Sequence, residues 1–255
     1  MTATFPLGRR LRSLGGAALD IVLPPRCLAC GTTIGATGAL CHACWQQVTF
    51  LEPPLCACCG WPFDYAMAEG AVCGACTATP PRFDRARAAI AYDDGSRAMV
   101  LGFKHGDQTH AAAAFAGWMA RAGADLLRGD AVLAPVPLHR SRLFRRRYNQ
   151  AALLAIALGR LAGCPVVPDL LVRRRRSPGQ GHLSRTERRA NVKGAFAVRR
   201  SAADRVAGRR IVLVDDVLTT GATAGECTAT LRRAGAAAVD VLTLARVILP
   251  QTAWQ

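Results

Sequence analysis

Nine of the chain's eleven cysteines fall between Cys27 and Cys76, and eight of them form four C-x-x-C pairs. The pairs are Cys27/Cys30, Cys41/Cys44, Cys56/Cys59 and Cys73/Cys76. A C-x-x-C turn presents two thiolates to one ion, and four soft ligands suit tetrahedral Zn²⁺, so the spacing predicts two four-thiolate zinc sites. A segment of about 50 residues buries too little apolar surface to fold alone. Metal supplies the difference, on the order of 10–16 kcal/mol per structural site. An iron–sulfur cluster or redox thiols are the other uses of such cysteines, but a redox C-x-x-C usually comes once, on a βα unit. The sites can pair the turns in sequence or crossed, and spacing leaves both open. Cys58 is left over beside the second site, His42 reads as a bystander, and Cys164 and Cys227 read as core residues.

Past Thr79, Pro80 and Pro81, which look like a linker, the pattern becomes α/β. Residues 87–94 read as a strand and turn, and residues 131–136, 194–198, 211–216 and 239–247 as strands. Residues 110–127, 148–161 and 222–234 read as helices, the last ending at Gly235. Alternating strands and helices predict a mostly parallel sheet flanked by helices. Ahead of the cysteines, Leu7, Leu11, Leu14 and Ala18 share one helical face, so residues 1–26 read as an amphipathic helix. Asp20 interrupts its apolar stretch and no small-residue cleavage site follows, which argues against a signal peptide. No apolar run reaches the length of a membrane span, and a cytoplasmic protein is expected. The predicted organisation is the helix at 1–26, a cysteine module at 27–80 and the α/β domain at 81–255.

The charge is as uneven as the cysteines. The formal net charge is +16. Between His139 and Arg210 there are 18 Arg and 1 Lys against Asp169, Glu187 and Asp204, a surplus of 16, while the rest of the chain is balanced. A field this concentrated suits a polyanion, and single-stranded nucleic acid is the expected class. A solvated basic face with no partner is the competing reading. Aromatics are sparse there (Phe144, Tyr148 and Phe196), which favours phosphate contacts over base stacking.

The basic segment leads into Ile211–Thr223, IVLVDDVLTTGAT. Here a buried strand ends in two adjacent carboxylates and runs through a Thr/Gly turn into a helix. Backbone N–H groups at a helix start, threonine hydroxyls and a glycine that allows close approach suit a phosphate. Asp215 and Asp216 would repel that phosphate, so they must face something else, and carboxylates accept hydrogen bonds from vicinal sugar hydroxyls. Together the features predict a ribose 5-phosphate site.

This stretch resembles the signature of type I phosphoribosyltransferases, which bind 5-phosphoribosyl 1-pyrophosphate (PRPP) with Mg²⁺. The resemblance implies that Asp215 and Asp216 hold the ribose hydroxyls at the catalytic centre. It implies that Thr219, Thr220, Gly221, Ala222 and Thr223 wrap the 5-phosphate. The segments PVPLHRSRLFRRRYNQAALLA (135–155) and RSPGQGHLSRTERRANVKGAF (176–196), joined to the cysteine module, narrow the likeness to the ComF family of competence-associated proteins, over roughly residues 20–248. By that resemblance Val136, Pro137 and Leu138 form the pyrophosphate loop. Residues 176–191, with Arg176, Gln180, Arg188 and Asn191, form the loop that closes over substrate. PRPP, single-stranded DNA and other competence proteins are the implied partners. In phosphoribosyltransferases a hood over the core selects the acceptor. The last predicted strand ends within ten residues of the C-terminus, so no C-terminal hood is expected; either the cysteine module serves as hood or none exists. Arg147 stands where the family pattern has glycine, so a backbone conformation favoured by glycine is not expected there.

Overall fold

The computed structural model describes residues 24–105, 108–175 and 185–248. The expected N-terminal helix lies outside them apart from residues 24–26, as do Arg176 and Gln180. The cysteine segment carries two short helices, α1 (His42–Gln47) and α2 (Gly74–Ala78). The α/β part follows as β1 (Ala86–Ala91), α3 (Asp94–His105), α4 (Ala111–Ala122), β2 (Val132–Pro135), α5 (Arg140–Arg146) and α6 (Gln150–Ala162). Then come β3 (Leu171–Arg173), α7 (Arg185–Val192), β4 (Phe196–Val198), β5 (Arg210–Leu218), α8 (Ala222–Arg233) and β6 (Ala238–Arg246).

Four strands form a parallel sheet in the order β1-β6-β5-β2. Both of its faces are covered, and this is why β5 and β6 read as continuous apolar runs. Side chains alternate across the sheet. Val212 and Val214 of β5 pack with Leu242, Phe115, Met119 and Leu154 in one cluster. Ile211 and Leu213 pack with Val241, Cys227 and Leu231 in the other. Cys164 and Cys227 are buried, as expected of core residues. The strand expected at 194–198 leaves this sheet and pairs antiparallel with β3 instead. Short β3 lacks a periodic pattern, and so its pairing partner was not predicted.

The cysteine segment is built into the domain. Phe50 bridges Ile90 antiparallel, so residues 49–51 cover the β1 edge of the sheet. Leu51 N–H donates to the Ala89 carbonyl at 3.0 Å, and Ala91 N–H donates to the Thr49 carbonyl at 2.8 Å. Leu28 and Val48 belong to the same buried cluster as Phe103 and Phe115. The Phe50 ring lies 5.0 Å from Trp45 and 5.4 Å from Trp118. Further along, Ala86 N–H donates to the Cys58 carbonyl at 2.7 Å. Gly60 sits over this contact at φ 69°, where a Cβ would come within 2.5 Å of the Ala86 oxygen.

At the opposite sheet end from Asp215 and Asp216, buried Asp240 accepts from Arg85 Nη2 at 2.9 Å and Arg210 Nη2 at 2.8 Å. Arg210, the last arginine of the basic segment, is thus part of the scaffold rather than of an anion-facing surface.

One expectation is overturned at the end of α5. Arg147 has φ 64° and ψ −20°, the single positive-φ non-glycine residue among those described. It caps a helix that must turn sharply into Asn149, whose side chain caps α6 by accepting from Ala151 N–H. The turn demands the left-handed conformation even though a side chain there costs roughly 1–2 kcal/mol.

Candidate functional site

The four C-x-x-C pairs assemble in sequence. Cys27, Cys30, Cys41 and Cys44 form one cluster, Cys56, Cys59, Cys73 and Cys76 the other, and within each cluster the sulfurs lie within 4.8 Å of one another. Two thiolates about 2.3 Å from one tetrahedral ion stand roughly 3.8 Å apart. The Cys30–Cys41 and Cys59–Cys73 sulfurs are each 3.7 Å apart. Backbone N–H groups already point at these sulfurs. Cys41 N–H donates to Cys27 Sγ at 3.3 Å, and Cys73 N–H donates to Cys56 Sγ at 3.3 Å. The donor sets therefore fit a tetrahedral thiophilic ion such as Zn²⁺. The second cluster is the more enclosed, with Cys56, Cys73 and Cys76 buried, whereas Cys30 of the first is exposed. His42 is exposed on α1.

β5 extends two residues past the aspartates, to Leu218. Asp216 N–H donates to Asp215 Oδ1 at 2.9 Å. Lys104 Nζ of α3 stands 3.4 Å from Asp216 Oδ2. Burial and the Asp216 charge push the Asp215 carboxyl up to about 7, against the pull of the Asp216 N–H, Lys104 and Arg173. Arg173 itself lies over the Phe196 ring at 5.3 Å. Opposite charges thus bracket an acidic pair that is half-buried at the carboxyl end of the sheet, the end at which open parallel sheets bind ligands.

The turn after β5 runs directly into the start of α8. Gly221 sits at φ 74° as the N-cap of α8, and no side chain caps the helix. The first N–H groups of α8 therefore have no intrahelical acceptor, and the positive helix end faces the turn. The Thr220 hydroxyl oxygen is buried and has no hydrogen-bond partner among the described residues. Such a group is costly unless a ligand or water meets it.

The segment Val136–Leu138 leaves the sheet beside the aspartates, because Pro135 pairs with Val214. Val136 N–H donates to the Val214 carbonyl at 2.9 Å. Asn149 Nδ2 donates to the Val136 carbonyl at 3.1 Å and holds the segment from the other side. Of the expected closing loop, Asn191 is half-buried in α7. Arg188 lies on the same helix, its side chain outside the described set.

A cleft of about 770 Å³ opens from the turn toward the second cysteine cluster. Thr219–Ala222 form one wall and the cluster's own segment the other, with Pro80, Phe83, Lys193 and Arg246 between them. Asp215, Asp216 and Val136–Leu138 lie outside its walls. The residues read as a linker are therefore part of the cleft. Sequence reasoning missed Lys104, Lys193, Glu226 and Arg246. One signal was available for two of them: these are the chain's two lysines among 31 arginines, and both stand at this end of the sheet. Glu226 is buried on α8 and accepts from Gly194 N–H at 2.8 Å and Arg82 Nη1 at 3.2 Å.

Residues 18–77 match the double zinc ribbon domain, and residues 149–251 match the phosphoribosyl transferase domain. Competence protein F of Haemophilus influenzae is 32% identical over 227 residues, which cover 87% of this chain and 96% of that protein. The chain belongs to the ComF family. DNA utilization protein YhgH of Escherichia coli (strain K12) is similar too, 31% identical over 236 residues, 89% of this chain and 100% of that protein. Among solved structures, the allosteric regulatory enzyme of purine biosynthesis aligns with 21% identity and a TM-score of 0.37, over 56% of this chain and 30% of its own. The ComF assignment accounts for the two halves at once, a cysteine ribbon carried on a phosphoribosyltransferase domain. No helix among the described residues is long and apolar enough to cross a membrane.

Proposed function

We propose that this ComF-family protein binds PRPP with Mg²⁺ at the carboxyl end of β5 and transfers the phosphoribosyl group to an acceptor. The observation that carries the reading is the uncapped start of α8 at Gly221, with the orphaned Thr220 hydroxyl, directly after an acidic pair. Thr219–Thr223 would take the 5-phosphate, and Asp215 and Asp216 would accept from the ribose hydroxyls. Val136–Leu138 would lie along the pyrophosphate, whose charge Mg²⁺ would offset. Arg176, Gln180, Arg188 and Asn191 would close over it. The nucleophile would attack the anomeric carbon as the bond to pyrophosphate breaks, and the two aspartates would favour the oxocarbenium-like charge between them. Zn²⁺ in both cysteine clusters would be structural. The names of the relatives support a role in competence and DNA utilization, and the protein would act in the cytoplasm. Asp216→Asn is expected to weaken PRPP binding by about 1–3 kcal/mol, the scale of a hydrogen bond to a charged group. Calorimetric titration of both proteins reads the difference, and equal affinities would remove Asp216 from the site.

A second reading, single-stranded DNA on the arginine field, is favoured by one observation. On α5, Phe144 is 90% exposed and stands between exposed Arg140 and Arg145. An exposed ring among phosphate-seeking guanidinium groups suits an unpaired base. Affinity for an oligonucleotide should fall with salt at a log–log slope of about −0.7 per phosphate contacted. Phe144→Ala should lower the affinity and leave that slope unchanged. Binding that ignores both salt and Phe144 would leave the field a solvated surface.

A further inference from the structure

Lys104 is one of two lysines in a chain with 31 arginines, and it stands at the acidic pair. Its ammonium lies 3.4 Å from Asp216 Oδ2, and the two side chains are 18% and 15% exposed. A closed charge-assisted hydrogen bond measures about 2.7–2.9 Å, so the pair is in contact without being locked. Among the described residues, Asp216 is the one carboxylate within ion-pair distance of this lysine. The backbone under Lys104 is fixed from the start of α6. Carbonyls in the last turn of a helix lack intrahelical donors. In the last turn of α3 the Tyr148 hydroxyl donates to the Phe103 carbonyl at 3.1 Å, and buried Gln150 donates through Nε2 to the Lys104 carbonyl at 2.9 Å. Asn149, between them, donates to the Val136 carbonyl at 3.1 Å. Three successive residues thus tie the base of Lys104 to Val136–Leu138. The lysine is tethered at its base to the segment assigned to the pyrophosphate and paired at its tip with the acidic pair. Lysine carries a point charge on a flexible four-carbon stem, whereas the planar fork of arginine suits a fixed bidentate partner. A cation that must change partners is therefore better supplied by lysine, even in a chain this rich in arginine.

We propose that Lys104 is a catalytic residue whose ammonium exchanges partners, pairing with Asp216 in the free protein and with the pyrophosphate of bound PRPP, and that Tyr148 and Gln150 position it. This rests on the PRPP reading given above. A pyrophosphate carries more charge than one carboxylate, so it draws the ammonium across. Asp216 is then released to accept from the ribose hydroxyls. As the bond from the anomeric carbon to the pyrophosphate oxygen breaks, its electron pair goes to that oxygen, and the acceptor forms the new bond. Lys104 keeps its protons and faces the charge that the oxygen gains. The exchange has a signature that a purely structural ion pair lacks. Ribose 5-phosphate brings hydroxyls to Asp216 but no pyrophosphate, so it competes with Lys104. PRPP gives Lys104 a second partner and gains from it.

The test titrates the full chain with two probes, PRPP in Mg²⁺ and ribose 5-phosphate, by calorimetry. The proteins are the wild type, Lys104→Met, Lys104→Gln and Tyr148→Phe. In Lys104→Met the affinity for PRPP should fall about ten-fold or more, the scale of one charge-assisted hydrogen bond. Ribose 5-phosphate should bind that variant as well as it binds the wild type, or tighter. Lys104→Gln leaves Asp216 a donor, so it keeps the test open where methionine unfolds the protein, and it should show the same loss for PRPP alone. Tyr148→Phe removes one hydroxyl that holds the α3 end, and it should lower PRPP affinity about two- to five-fold, the scale of a neutral hydrogen bond, with ribose 5-phosphate unmoved. Equal weakening of both ligands in folded Lys104 variants makes the lysine a structural partner of Asp216 and overturns the exchange. So does a PRPP affinity that neither Lys104 substitution changes. An unmoved Tyr148→Phe protein overturns the positioning role of Tyr148. Each of these results leaves the PRPP reading standing. A wild type that binds neither probe overturns that reading, and the exchange with it.

Discussion

Stripping metal from the purified protein is expected to unfold residues 27–76 and to weaken the parallel sheet along with them. The clusters as they stand set sulfurs of separate turns 3.7 Å apart. Without an ion, nothing ties the four cysteines of each cluster together or replaces the missing core of a segment this short. Metal-linked folding energies are on the order of 10–16 kcal/mol per site, as large as the whole stability of a typical domain. The sheet is expected to stay cooperative yet become less stable, because Leu28 and Val48 pack with Phe103 and Phe115, and residues 49–51 cover the β1 edge. Elemental analysis of protein purified without added metal should give two zinc ions per chain. Chelation should alter the fluorescence of Trp45 and Trp61 and shift the denaturant midpoint of the sheet. Zinc well below one per chain, iron in its place, or a midpoint unmoved by chelation would contradict this account of the ribbon.

Asp215→Asn is expected to make the protein more stable at pH 8 and a poorer ligand binder. Asp215 ordinarily ionises near 3.8, but in the folded protein burial and Asp216 hold its proton on to about 7. Between these values the folded state binds more protons than the unfolded chain, so stability falls as pH rises from about 4 to about 7. Above that range the full cost of a charged Asp215 is present. Below pH 4 the residue is neutral in both states and costs nothing. Asparagine is neutral throughout, and its Oδ1 can still accept from Asp216 N–H, now 2.9 Å from the aspartate oxygen. The substitution should therefore add on the order of 2–4 kcal/mol at pH 8 and close to nothing at pH 3. Denaturant unfolding of both proteins at the two pH values measures it. Equal stability at pH 8 would mean that Asp215 is ionised at no cost, and the reading of a carboxylate held ready for hydroxyls would lose its physical basis. Sites that carry such a cost are commonly functional ones.

What could be read in advance follows from where the physics is local. The C-x-x-C spacing specified both four-cysteine clusters, since the turn itself delivers two sulfurs; their pairing is settled only by how residues 31–40 and 60–72 fold back. The strand–acid–turn–helix order of residues 211–234 was legible for the same reason, as periodicity and a glycine N-cap are near-neighbour properties. Arg246, Lys104 and Glu226 were not legible. Each reaches the site by sheet register or helix packing over long sequence separations, and one arginine among 31 carries no mark of burial. Arg147 shows the converse. A side chain there argued against a left-handed turn, but the short connection between α5 and α6 overrode the local preference.

The central claim is that the acidic pair and the uncapped turn after β5 form a PRPP site. Calorimetric titration of the wild-type full chain with PRPP, with and without Mg²⁺, tests it most directly. The account predicts saturable heat with one site per chain, tighter with Mg²⁺, and weakened when Asp216 is changed to asparagine. No heat at millimolar PRPP in the presence of Mg²⁺, from protein shown to be folded and zinc-loaded, would contradict it.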